Sequence, residues 1–137
     1  MKHYIIASHK NFASGLYSAL QAIIGNSANI EVICAYVDDE DIGVKIDKCL
    51  SKFSKEDEVI VMSDIYGGSV NNEFIKRIGK YNFHLVAGVN LSLAISLIIE
   101  LPEKITREKI ISKVEASKES IKYCNDELLA KKNEEDF

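Results

Sequence analysis

Four short apolar runs, each followed by a segment with helical spacing, recur along this chain, and no other feature restricts its fold as tightly. "HYIIAS" (3–8), "IEVICAYV" (30–37), "VIVMS" (59–63) and "FHLVAGV" (83–89) read as strands. The third is apolar throughout, as a strand covered on both faces should be. Repeated βα units of this length predict an α/β fold: a four-stranded, parallel, doubly wound sheet. Right-handed crossovers then place helices on both faces.

The intervening segments supply those helices. Phe12, Leu16, Leu20, Ile23 and Ile24 fall on one predicted helical face, which Gly25-Asn26 ends. Ile42, Ile46, Cys49, Leu50 and Phe53 repeat in the same way, and Phe74, Ile75 and Ile78 mark a helix ending near Gly79. Leu91 to Leu101 predicts a buried helix stopped by Pro102, the only proline. A last helix is expected to turn Ile110, Val114, Ile121 and Leu128 inward. Residues 1–128 are thus read as one domain and 129–137 as a polar, fraying tail.

With 137 residues, 47% of them hydrophobic, the chain suffices for a single buried core. Its net charge of −4 and lack of a basic block argue against nucleic acid as a partner. The first apolar run is too short for a signal-peptide core, and "VNLSLAISLIIEL" falls short of the roughly 20 residues that span a bilayer. A cytoplasmic location is expected. Cys34, Cys49 and Cys124 are widely spaced, suggest neither disulfides nor zinc, and read as small buried side chains. Four strands leave two edges open, so a dimer that covers one is expected.

In doubly wound sheets, ligands bind beyond the carboxyl ends of the strands, where strand order reverses. That rule selects loops 8–12, 37–41, 64–72 and 89–92. The first holds Ser8 and His9, and the third holds Asp64 followed by Gly67, Gly68 and Ser69. If strands 1 and 3 are neighbours, His9 and Asp64 share a crevice. An imidazole is nucleophilic through an unprotonated nitrogen, and a carboxylate on the other nitrogen fixes its tautomer. Gly67 and Gly68 would let backbone N–H groups approach an anion, and Ser69 adds a hydroxyl donor. This set suits a histidine that carries a phosphoryl group. Transfer between two histidines requires no Mg²⁺ and no other cofactor. His3 and His84 lie away from the ligand-binding ends and are expected to be structural. The acidic "DDED" (38–41) is read as a solvated loop at a helix start rather than a cation site.

The pieces "IIASHKNFASGL", "VIVMSDIYGGSVNN" and "VAGVNLSLA" resemble the IIA component of the mannose-type sugar phosphotransferase system, in order and over nearly the whole chain. The resemblance implies a cytoplasmic phosphocarrier with a four-stranded parallel sheet. His9 would accept a phosphoryl group from the phosphocarrier HPr and pass it to a IIB component, serving the membrane IIC/IID permease indirectly. Asp64 corresponds to the acid on the other ring nitrogen and Ser69 to the hydroxyl near the phosphoryl group. Homodimers are implied, often with an exchanged C-terminal strand, for which 121–127 is the candidate segment, although its helical pattern leaves the exchange open. Lys10 stands where Gly is common in the family, and Val70 and Ser92 stand where Pro is frequent.

Other readings stay open. The phosphocarrier subunit of dihydroxyacetone kinase is similar in fold and histidine but differs in its acceptor. A non-catalytic regulatory module of the same fold is a second alternative. A receiver domain is disfavoured because strand 1 ends in Ser-His rather than an acidic cluster. A flavin-binding domain would carry a Ser-, Thr- and Gly-rich first loop in place of His-Lys-Asn.

Overall fold

In a computed structural model, which describes residues 1–101 and 104–135, the four strands form one parallel sheet. They are β1 (Lys2–His9), β2 (Ile30–Ala35), β3 (Glu58–Ser63) and β4 (His84–Ala87), in spatial order β2-β1-β3-β4. The chain moves from β1 to one side to form β2 and then returns past β1 to form β3. The reversal in strand order therefore lies between β1 and β3.

Helices cover both faces. Tyr4, Ile6, Ile60 and Met62 pack with α1 (Phe12–Ile24), α4 (Leu91–Ile99) and α5 (Arg107–Lys118). Ile5, Ala7, Val59 and Val61 pack with α2 (Ile42–Leu50) and α3 (Ser69–Ile75). The alternation of neighbours within β1 and β3 is the two-residue strand period, and it explains why these strands are apolar on both faces. A further helix, α6 (Cys124–Glu135), follows α5.

The predicted helices exist, but several of their inner faces differ. In α1 the buried residues are Ala13 and Leu20, with Leu16, Tyr17 and Ile24 alongside, whereas Phe12 and Ile23 are exposed. A rotation of the stripe toward the small Ala13 lets the helix sit close to the sheet. Helix α2 buries Ile42, Ile46, Cys49 and Leu50 as expected, and Asp41 caps it by accepting from Val44 N–H at 3.2 Å. Helix α3 ends at Ile75, short of the expected end near Gly79; Phe74 is buried, whereas Ile75 and, beyond the helix, Ile78 are exposed. Helix α4 ends at Ile99; Pro102, expected to stop it, lies outside the described residues.

The predicted last helix is two helices. Turns at Glu119 and Ser120 break it, so Ile110 and Val114 pack inward while Ile121 and Leu128 are exposed. Residues 121–127 form no strand: 121–123 are irregular and 124–127 begin α6. Helix also continues through 129–135, where a fraying tail was expected. Cys49 is buried and Cys34 partly so, but Cys124 is exposed, contrary to the expectation of burial. His3 packs its ring on Phe53 at 4.5 Å, at the end of the sheet away from the reversal.

Candidate active site

Parallel pairing matches Ala7 with Ser63, and β3 then ends, while β1 continues to His9 opposite Ala35 of β2. The N–H of His9 thus extends past the last rung of the β1–β3 ladder. Asp64, the next residue after β3, supplies the missing acceptor: its Oδ2 accepts from the His9 N–H at 2.8 Å. The same oxygen lies 2.8 Å from His9 Nδ1. Its Oδ1 accepts from the Ile65 N–H at 2.9 Å. Burial pushes the Asp64 carboxyl up, but the His9 backbone, the His9 ring and the Ile65 N–H together outweigh it and hold the group below the usual carboxylate range.

An ionised carboxylate only accepts, so Nδ1 carries a hydrogen and the neutral ring keeps its lone pair on Nε2. That nitrogen faces Ser69 Oγ at 3.2 Å. The hydroxyl of Tyr36 lies 2.6 Å from the same oxygen, and its ring centre is 5.5 Å from that of His9. With the His9 side chain 41% exposed, the ring is open to a macromolecular partner yet fixed at both nitrogens.

The sequence-selected residues His9, Asp64, Gly68 and Ser69 therefore come together across β1, β3 and the start of α3. Gly68 has room for no side chain: a Cβ there would lie 2.6 Å from Ile65 Cγ2 and 3.4 Å from His9 Cε1. Gly67 takes φ of 79°, a turn that glycine accommodates without strain. The glycine amides, expected to face an anion, are engaged within the protein. Gly67 N–H donates to Asn71 Oδ1 at 3.2 Å and Gly68 N–H to the Ile65 carbonyl at 3.2 Å. The amides without an intrahelical acceptor are those of the first turn of α3, which begins at Ser69.

Two contributors, Tyr36 and Asn71, escaped the sequence. Tyr36 read as the penultimate residue of a strand, but β2 stops at Ala35 and Tyr36 turns to φ of 66°. Asn71 is buried and donates to Ser63 Oγ at 2.9 Å while accepting from Gly67, so one amide ties the glycine turn to the end of β3. Ser8, on the other face, accepts from Ala13 N–H at 2.7 Å and anchors the start of α1. Lys10 has φ of 52°, a left-handed conformation that glycine would adopt more readily, so a lysine bears the strain here.

The open α/β sheet thus carries a histidine–carboxylate pair at its switch point, with the Ser69 hydroxyl on the other ring nitrogen, an arrangement suited to a nucleophilic imidazole. The family model for the fructose IIA component of the phosphotransferase system matches residues 3–115, from β1 into α5. The chain belongs to the mannose family of phosphotransferase-system IIA components. A solved structure from Klebsiella pneumoniae, described provisionally as a phosphoenolpyruvate-dependent sugar phosphotransferase permease, is 41% identical with a TM-score of 0.86 and 93% of each chain covered. The IIA protein associated with the fucose utilization operon of Streptococcus pneumoniae is 26% identical, with a TM-score of 0.77 over 93% of this chain and 96% of that one. A mannose/sorbose-specific IIA subunit from Enterococcus faecalis shares the fold at 24% identity, TM-score 0.74, covering 89% and 94%.

Proposed function

We propose that His9 Nε2 accepts a phosphoryl group from phospho-HPr and passes it to a histidine of a IIB component, in the cytoplasm. The sugar is then phosphorylated through the membrane IIC/IID permease. The observation that carries this reading is the doubly bonded His9 ring, with Nδ1 on Asp64 and Nε2 directed at Ser69.

The Nε2 lone pair attacks phosphorus. As the new N–P bond forms, the bond to the donor's ring nitrogen breaks and its electron pair leaves with that nitrogen. Nδ1 keeps its proton, so the His9 ring gains positive charge as it is phosphorylated. Asp64 faces that charge. The hydroxyl of Ser69 and the first-turn amides of α3 then donate to the phosphoryl oxygens. The second transfer runs the same steps in reverse with IIB as acceptor.

Apolar side chains near the site support a protein donor rather than a small one. Phe12 is 50% exposed, Ile65 59% and Tyr66 82%, and surfaces of this kind suit transient docking. The open edge of β4 supports the homodimer that the family implies.

Incubation with phosphoenolpyruvate, enzyme I and HPr tests the reading. One phosphate on His9 by mass spectrometry, absent in His9→Ala, is expected, as is its discharge by IIB. An unmodified wild-type protein overturns it. Discharge only to a dihydroxyacetone kinase partner moves the chain to that system, and partner binding without phosphate makes it a regulatory module.

A further inference from the structure

Tyr36 and Lys10 are the two non-glycine residues with positive φ among the described residues, and they touch each other across the site. The Lys10 ammonium donates to the Tyr36 carbonyl, and the Lys10 N–H donates to the Ala35 carbonyl at 2.8 Å. Left-handed backbone is strained at an L-residue, and it persists only where neighbours hold it. Here two strained loops, one after β1 and one after β2, hold one another. The result delivers the Tyr36 hydroxyl to Ser69 Oγ at 2.6 Å.

With the His9 ring neutral, the hydrogens in this chain of contacts have one consistent order. Asp64 accepts a hydrogen bond from Nδ1–H, which leaves Nε2 an acceptor. Ser69, 3.2 Å from Nε2, must be its donor. The Ser69 oxygen is then free to accept, and the tyrosine hydroxyl donates to it. A hydroxyl that accepts one bond donates more strongly in the next.

Building on the phosphocarrier reading of His9, we propose that Tyr36, held by Lys10, is a positioning residue that keeps the Ser69 hydroxyl aimed at the His9 ring nitrogen. Before transfer the relay fixes the ring and covers the lone pair. When Nε2 bonds phosphorus, its lone pair is consumed and the Ser69 hydrogen turns to a phosphoryl oxygen. Tyr36 still holds the serine oxygen, so little reorganisation accompanies the chemistry. Tyr36 thereby acts on the rate of transfer and not on docking.

The variant Tyr36→Phe keeps the ring on His9 and deletes only the hydroxyl. Two measurements are made on it: the ¹⁵N chemical shift of His9 Nε2 in the unphosphorylated protein, and steady-state transfer from phospho-HPr. The expected result is an Nε2 shift in the direction given by Ser69→Ala but smaller. A kcat about 2- to 10-fold lower at unchanged KM is expected with it, the size of one hydrogen bond. Lys10→Met, which leaves both hydroxyls in place, should move Nε2 the same way and serves if Tyr36→Phe folds poorly. An Nε2 signal identical to wild type in both variants overturns the relay. A changed signal with unchanged kcat overturns the positioning role. If wild type takes no phosphate on His9, the phosphocarrier reading falls and with it the effect on transfer, while the nitrogen shifts still decide whether the relay exists.

Discussion

One oxygen of Asp64 accepts from both the backbone N–H and the ring Nδ1 of His9, each at 2.8 Å. The carboxylate therefore sets the position of the main chain and the orientation of the ring together. It can do so because β1 outlasts β3, which leaves the His9 N–H without a rung and Asp64 beside it.

Asp64→Asn should slow phosphoryl transfer much more than it weakens docking of phospho-HPr. The amide oxygen can still accept one bond but carries no charge to face the developing imidazolium. A loss of about 10²–10⁴-fold in kcat is expected, with the dissociation constant changed less than about 3-fold. Stopped-flow transfer and titration calorimetry measure the two, and equal losses would contradict an orienting role.

The same carboxylate makes stability depend on acid. Its folded pKa lies below the unfolded value of about 3.9, so the folded state is favoured wherever the group is ionised. Its contribution is complete above about pH 5 and is lost as pH falls through 3.9 toward the folded value. Urea unfolding at pH 6, 4 and 3 should show wild type more stable than Asp64→Asn at pH 6, with the gap closing downward. A gap that widened in acid would refute the assignment.

The two glycines of the turn should fail for different reasons. At Gly67 an added Cβ meets open space but φ is 79°, so Gly67→Ala should cost about 1–2 kcal/mol of stability. At Gly68 the backbone suits alanine, with φ of −73°, but the methyl would lie 2.6 Å from Ile65 Cγ2 and force that side chain to shift. Gly68→Ala should lower transfer by about 2- to 10-fold through the displaced Ile65 side chain beside the site. Thermal unfolding and transfer assays on both proteins separate strain from obstruction.

Asn71→Ala removes a buried amide that bonds Ser63 Oγ and the Gly67 N–H. Leaving those partners unpaired should destabilise the protein by about 1–3 kcal/mol. Hydrogen exchange should show added opening at Gly67 while the amides in the middle of β1 stay protected.

Much of the fold was legible because strands and helices announce themselves through local periodicity. "VIVMS" had to be covered on both faces, and Val61 and Met62 do point to opposite helical layers. Periodicity failed where a face depends on partners far away in the chain. Phe12 and Ile23 continue the stripe of α1 yet stay exposed, since the buried face of the helix is centred on Ala13 and Leu20. Ile121 and Leu128 matched a helical repeat that the break at Glu119 and Ser120 interrupts.

Residue types and their order were enough to nominate His9, Asp64 and Ser69, since a candidate nucleophile stood at the end of strand 1 and an acid with a glycine-serine turn at the end of strand 3. Local sequence could not reveal Tyr36, whose role depends on a backbone reversal held by Lys10 from another strand, nor Asn71, whose partners flank it in space. Nor could it assign the ring nitrogens. That division arises because the order β2-β1-β3-β4 sets β1 against β3, and the overhang of β1 decides which groups lie within hydrogen-bond reach. Chemistry of side chains is written along the chain; distances between them exist only once the sheet has closed around them.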